Sequence, residues 1–400
     1  METLRSRKHK HIIPLLASFT AGREEPVTAN DPQECLHMLF PQAKGGDMKA
    51  WLEQLRPPAA LLEDDERQAY VYKTIQDIVS GVTYIHREIK DKVMFHHDLK
   101  PGNILLFYDD GLPTWKICDF GNARLKYIES DEGTGTAHTD ENKFGTYTYR
   151  PPEYFREPNA FQEQKHGRPF DVFSLGCVLL NLATVLRYGW APAGLPEFES
   201  QRAANTEHAY TGTEKPERDI SFHNSPKVVE SWIKYLRKNG SRTLCELLNL
   251  IELMLRSRAD QRIFVWEVDM DLYDMLNPHA SQADRQERLR SVVQRSRTPL
   301  NRLDNQHNPL RRAIAKNRPT WWKEILEGHS WSYSAPASTD QLRLRTLRVN
   351  EHYSTLTAFR YLKEFKEPNK LIGRHGIHKK IEKAFEGSNC VGLYGMGGIG

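Results

Sequence analysis

The sequence predicts an α+β chain whose strands gather in its first third and whose middle is helical. Three observations predict this. Short apolar runs that end in breakers, "HIIPLLASFTAG" and "ECLHMLF", read as strands, and "NILLFYDDGLPTWKICDFG" reads as a hairpin that turns at Asp109-Asp110-Gly111. Apolar residues then recur at helical spacing, with Val71, Ile75, Ile78, Val79, Val82 and Ile85 on one face of a helix over 67–86. Beyond the hairpin the pattern stays mainly helical out to Asn277-Pro278, where the composition turns arginine-rich.

Length and composition set the bounds. A chain of 400 residues is long enough for two or three domains, and 39 % hydrophobic residues suffice for a sizeable core. The formal charge is only +4, so bulk charge gives no argument for nucleic acid, which is not expected as a partner. Cys35, Cys118, Cys177, Cys245 and Cys390 are scattered with no CxxC pair. That excludes a disulfide framework or a cysteine zinc site and predicts a reducing, cytoplasmic setting. The opening "METLRSRKHKHIIPLLASF" is basic and then briefly apolar, interrupted by Pro14, which does not fit a secretory leader. The longest apolar stretch, "SLGCVLLNLATVL", falls short of the ~20 residues a bilayer requires. It reads as a buried core helix, and no membrane is expected as a partner.

The remaining elements follow in order. "GGDMKAWLEQL" opens a helix after a glycine pair, and "FHHDLKPGN" is a loop between the long helix and the hairpin. The polar, proline-bearing stretch 192–226 reads as a surface insertion. Residues 279–370 read as a linker with some helix, rich in arginine over 285–318. Its arginines are expected on a solvated face, and Trp321, Trp322 and Trp331 are expected to pack a small helix against the preceding domain. The last segment reads as a turn, a helix, a strand over 390–394 and a glycine-rich loop; no internal repeat is found.

Phosphoryl transfer needs an oriented hydroxyl, metal ions on the phosphates and positive charge near the moving group. The loop supplies these residue types: Asp98 to accept or orient the hydroxyl proton, Lys100 to approach the γ-phosphate, and Asn103 to offer a neutral oxygen to magnesium. Asp119 in "CDFG" offers a carboxylate to the same hard cation. His96-His97 lack Cys or His companions at metal-site spacing and read as loop residues.

With "HHDLKPGN", "DFG", "GTYTYRPPE", "DVFSLG" and "RADQR" in that order, the chain resembles the eukaryotic protein kinases. The resemblance implies a protein-kinase-like fold, mostly its helical large lobe, with ATP and Mg2+ as cofactors and a protein as substrate. It implies Asp98, Lys100 and Asn103 as catalytic residues, Asn103 and Asp119 as metal ligands, a Glu153–Arg262 ion pair, and Asp171 as the brace of the catalytic loop. Lys100 and Thr146 resemble the serine/threonine branch. His97 stands where the family usually has arginine, so control through Ser130, Thr134, Thr136 or Thr139 of the activation loop is expected to be weak.

Ahead of the catalytic loop the sequence has no glycine-rich lid, strand lysine or matching helix glutamate; Glu2 reads as a solvated terminal residue. The hinge side remains, with Phe40 at the back of the adenine pocket and Asp47 placed to reach a ribose hydroxyl. This chain by itself is expected to bind ATP weakly and turn over slowly. At the other end "GMGGIG" fits the first part of a P-loop, with Gly395, Gly397, Gly398 and Gly400 letting backbone N–H groups approach phosphates. With "LIGRHGIHKKIEKAF" before it, this segment resembles the NB-ARC/STAND-type signalling NTPases, truncated here, which implies self-association through that part. The domains expected are a protein kinase domain at 1–278, the linker at 279–370 and the start of the NTPase at 371–400. The chain reads as a piece of a longer kinase–NTPase protein. The rival reading is a pseudokinase scaffold of a nucleotide-binding receptor.

Overall fold

The computed structural model describes residues 9–22, 34–53, 64–86, 92–127, 145–155, 167–206, 218–238, 240–292 and 320–322. They fall into two units. The first, within 14–41, is a hairpin of β1 (Ala17–Gly22) and β2 (Glu34–Leu39), antiparallel, with Ala17 opposite Leu39 and Gly22 opposite Glu34. Both strands are those expected from the apolar runs.

The second unit holds His9–Ile13 and the residues from 42 on. Helix α1 (Met48–Glu53) starts at Asp47, whose Oδ1 accepts the Ala50 N–H at 2.9 Å and caps the first turn. Helix α2 (Asp64–His86) buries Val71, Ile75, Ile78, Val79, Val82 and Ile85, the face its periodicity marks. Then come β3 (Lys92–Phe95), β4 (Ile104–Asp109), β5 (Leu112–Ile117) and β6 (Arg124–Tyr127). β4 and β5 pair antiparallel from Ile104–Ile117 to Asp109–Leu112. Asp110 and Gly111 turn the chain with φ of +51° and +80°, the doubly left-handed turn whose twist suits a two-residue hairpin.

β3 and β6 pair antiparallel, Lys92 opposite Tyr127 and Phe95 opposite Arg124. Periodicity had marked neither strand, because four residues hold too few alternations to register. His9–Ile13 runs beside the end of β5: Ile117 N–H donates to His11 O at 3.0 Å, and Ile13 N–H to Ile117 O at 2.9 Å. This fixes the strand that leads into Cys118-Asp119.

Helix α3 (Arg168–Tyr188) is buried along its whole circumference, from Phe170 to Leu186. It is longer than the apolar run at 174–186, and by length and composition it could cross a bilayer. Its apolar surface is instead satisfied inside the fold, against α2 and the helices that follow. These are α4 (Leu195–Ala204), α5 (Pro226–Lys238), α6 (Arg242–Met254), α7 (Val265–Leu276) and α8 (Gln282–Val292). Helix α6 packs on α3, and α7 on α2.

Two sequence expectations are corrected. The described parts of stretch 192–226 are not a surface insertion: they contain α4, and Phe198, Arg202, Ser221 and Phe222 are at most 2 % exposed. The polar composition around them masks the residues that enter the core. Of the arginines of 285–318 that the structure describes, Arg290 is exposed as expected, whereas Arg285 and Arg288 are half-buried and bonded. Arg285 donates to the carbonyls of Asn277, Pro278 and Ala280 at 3.0–3.1 Å and closes the end of α7. Arg288 Nη2 meets the buried Asp269 carboxylate at 2.5 Å. Burial raises the Asp269 pKa, and the Arg288 charge opposes it. Beside this pair, Trp321 and Trp322 join Leu289 and Val292 of α8 against Trp266 and Met270 of α7. The expected seating of these tryptophans on the preceding domain is thus seen, while Trp331 lies outside the described residues.

Candidate active site

β3 delivers the chain into the loop that begins at His96, and a carboxylate from the buried helix shapes that loop. Asp171 Oδ2 accepts the His96 N–H and Oδ1 the His97 N–H, both at 2.7 Å. His86 Nε2 adds a third bond at 2.8 Å. Burial opposes charge on Asp171, but the bond and charge of His86, with His97 and His96 behind it, outweigh that and hold the carboxyl down to about 2. His97 takes a left-handed φ of +62°, stacks on Phe95 with centroids 5.6 Å apart, and meets Phe170 edge-on at 5.4 Å. The expected brace is therefore present, and His97 serves as an aromatic wedge. The His96 ring ties the loop to β5: Nδ1 accepts the Asp98 N–H at 3.3 Å, so Nε2 carries the proton and donates to Cys118 O at 2.8 Å.

Asp98, Lys100 and Asn103 come together around one buried carboxylate. Asp98 Oδ2 accepts from Lys100 Nζ at 2.9 Å and from Asn103 Nδ2 at 3.1 Å. Oδ1 accepts from the Thr146 N–H at 2.8 Å and from its hydroxyl at 2.9 Å. Lys100 Nζ also donates to Thr146 Oγ1 at 2.7 Å, and Asn103 Nδ2 to Asp98 O at 2.8 Å. Pro101 starts the single 3₁₀ turn, Pro101–Asn103, that brings Asn103 back under Asp98. Thr146 is the member that spacing alone did not place here; its signal was its position after Gly145 in "GTYTYRPPE". Gly145 has φ +76°, and a Cβ there would lie 2.7 Å from His97 O, so this contact of two loops requires glycine.

Asp119 is joined to this group through its neighbour, since Cys118 N–H donates to Asn103 O at 2.9 Å. Asp119 itself is left-handed, φ +60°, and its Oδ1 accepts the Gly121 N–H at 3.2 Å. Burial pushes the Cys118 thiol up to about 12; the charges of Asp119 and Asp47 add to this and Lys100 opposes it. Asp47 sits at the start of α1 and bridges by backbone to Leu105. Phe40 follows β2 in the hairpin unit. Gly395, Gly397, Gly398, Gly400, Glu2, Ser130, Thr134, Thr136 and Thr139 lie outside the described residues. Among the described residues no group of three His, Cys, Asp or Glu is arranged to hold a metal ion. Away from the loop, Arg262 grips Glu153 in a two-pronged ion pair, both bonds 2.6 Å.

Comparison with known proteins agrees with this geometry. A sequence profile of the protein kinase domain matches residues 1–271. The interferon-induced, double-stranded RNA-activated protein kinase of Rattus norvegicus is 31 % identical over 160 residues, 40 % of this chain and 26 % of that protein. The probable serine/threonine-protein kinase nek2 of Dictyostelium discoideum is 25 % identical over 154 residues, 38 % of this chain and 32 % of that protein. The mitogen-activated protein kinase mpkA of Aspergillus fumigatus is 36 % identical over 144 residues, 36 % of this chain and 28 % of that protein. The matched stretches span about a quarter to a third of these relatives' length. With its profile matched over more than half its length, the chain belongs to the protein kinase domain family.

Proposed function

We propose that the chain is a serine/threonine protein kinase domain that moves the γ-phosphoryl group of ATP to a hydroxyl of a protein. The observation that carries this reading is the Asp98 carboxylate, buried yet held by a lysine, an amide and a threonine at hydrogen-bond distance. Asp98 is the group that orients the acceptor hydroxyl and takes its proton. Lys100 supplies the adjacent positive charge. Asn103 commits its amide nitrogen to Asp98, which leaves its oxygen, with the Asp119 carboxylate, as a hard-donor set that fits Mg2+. When bound, Mg2+ would neutralise charge on the ATP phosphates. Asp47 is the proposed ribose contact, and the cytoplasm the proposed location.

The test is phosphate transfer from labelled ATP to a mixed serine/threonine peptide library. Asp98→Asn is expected to slow transfer by roughly 10²–10⁴-fold with nucleotide affinity retained. Equal rates for the two proteins would end the reading.

One observation favours a second reading, a pseudokinase scaffold: both Asp98 oxygens are already engaged, two contacts each, so a substrate hydroxyl must displace one. We also infer from the NB-ARC/STAND resemblance of 371–400 that a nucleotide-dependent switch works beside the kinase domain. Self-association through that switch would bring kinase domains together. Gel filtration with and without nucleotide tests this: a size that never changes with nucleotide would remove the proposal.

A further inference from the structure

The loop that carries Thr146 closes partly on itself, Arg150 Nε donating to Gly145 O at 2.8 Å, and is also held from outside. Three successive grips on it come from residues 218–225, within the stretch whose polarity suggests an insertion. Asp219 Oδ2 accepts the Tyr147 hydroxyl at 3.3 Å. Phe222 N–H donates to Thr148 O at 3.2 Å. The His223 ring donates to the Arg150 main-chain carbonyl and stacks on Phe155, centroids 4.1 Å apart.

Each grip is itself braced. Asp219 is pinned by Asn224 Nδ2 at 2.8 Å and by Ser221 N–H at 2.9 Å, and these bonds keep its carboxyl below the usual range despite burial. Arg202 of α4 donates from Nε to Ile220 O at 2.9 Å, its guanidinium set in the corner between the T-shaped Phe198 and Phe222 rings, 4.1 and 4.2 Å from their centroids. Burial, with the Arg150 charge, lowers His223 to about 4, so near neutral pH it is an uncharged donor.

Thr146 immediately precedes the gripped stretch, and its N–H and hydroxyl are the two donors to Asp98 Oδ1. We propose that segment 218–225, anchored by Arg202, is a positioning element for the catalytic carboxylate: it sets the path of residues 147–150 and so holds Thr146 on Asp98. Its kinetic consequence rests on the reading of Asp98 as catalytic; its structural consequence does not.

The experiment uses the full chain and reads both consequences. Amide hydrogen exchange is followed in a peptide covering 145–150 and in control peptides from α3 and α6. Asp219→Ala and His223→Phe, the second keeping the ring stack, are each expected to speed exchange in 145–150 roughly five- to tenfold, with the controls unmoved. Asp219→Asn, which keeps an acceptor, restores most of the protection. In the peptide-phosphorylation assay the same variants lower kcat more than they raise the peptide KM. Unchanged exchange at 145–150 in a folded His223→Phe protein would overturn the proposal, and so would an acceleration spread equally over α3 and α6. If Asp219→Ala fails to fold, Tyr147→Phe, which removes one hydroxyl, takes its place with the same two outcomes. Faster exchange in a protein whose wild type transfers no phosphate supports the positioning role and counts against the activity reading alone.

Discussion

Asp171 does at one position what a loop cannot do for itself. Two main-chain N–H groups and one imidazole converge on a carboxylate with no solvent access. Asp171→Asn keeps one acceptor but turns an amide N–H toward the other donor, and is expected to cost about 1–3 kcal/mol in urea unfolding. The pH dependence has a definite sign. The folded carboxyl lies at about 2 against an ordinary 3.8, so its contribution, on the order of 2 kcal/mol, is present above pH 4 and is lost as the pH falls toward 2. An Asp171→Asn chain should lack that acid limb in a plot of stability against pH. Gly145→Ala places a Cβ against His97 O with φ still positive, and is expected to cost about 1–3 kcal/mol and loosen both loops. Much of this scale was legible in the sequence: "HHDLKPGN" placed Asp98, Lys100 and Asn103 close together because only four residues separate the ends of that set. The bonds from Thr146 were not legible, because they join positions 48 apart and depend on a left-handed glycine.

Among the elements, those with strong local signals were read correctly. Helix α2 shows its face through six apolar residues at helical spacing, and the β4–β5 hairpin announces itself by Asp110-Gly111. Strands β3 and β6 are short and owe their pairing to partners far along the chain, so their local pattern carries little information. Helix α4 hides among prolines and acids, yet Phe198 is fully buried. Helix α8 is the element with the clearest energetic test. Arg288→Met strands the Asp269 carboxylate in a site 1 % exposed and is expected to lower stability by about 3–5 kcal/mol. Adding Asp269→Asn to it should recover a large part, as thermal denaturation would show. Trp322→Ala, at 2 % exposure, is expected to cost about 3–5 kcal/mol through the cavity it leaves between α7 and α8.

At the scale of the whole molecule, the order of the five motifs made the family legible, because long-range contacts such as Glu153–Arg262 and Asp171–His96 need both partners present. His97 bears on control. Seated between Phe95 and Phe170, the ring is occupied as an aromatic spacer. Alanine at Ser130, Thr134, Thr136 and Thr139 together is therefore expected to leave peptide phosphorylation within about twofold of the parent, a small shift in barrier height. The Asp171 contacts also set a schedule. They link residues 74, 75 and 85 positions apart, so the catalytic loop has no acceptor for its N–H groups until a distant helix has arrived. Closing a loop of that length is an entropic cost met before any bond repays it. The geometry around Asp98 is therefore expected to form late in folding: Asp171→Asn should leave the refolding rate nearly unchanged and speed unfolding. Recovery of catalysis after dilution from denaturant should then trail the recovery of helix signal.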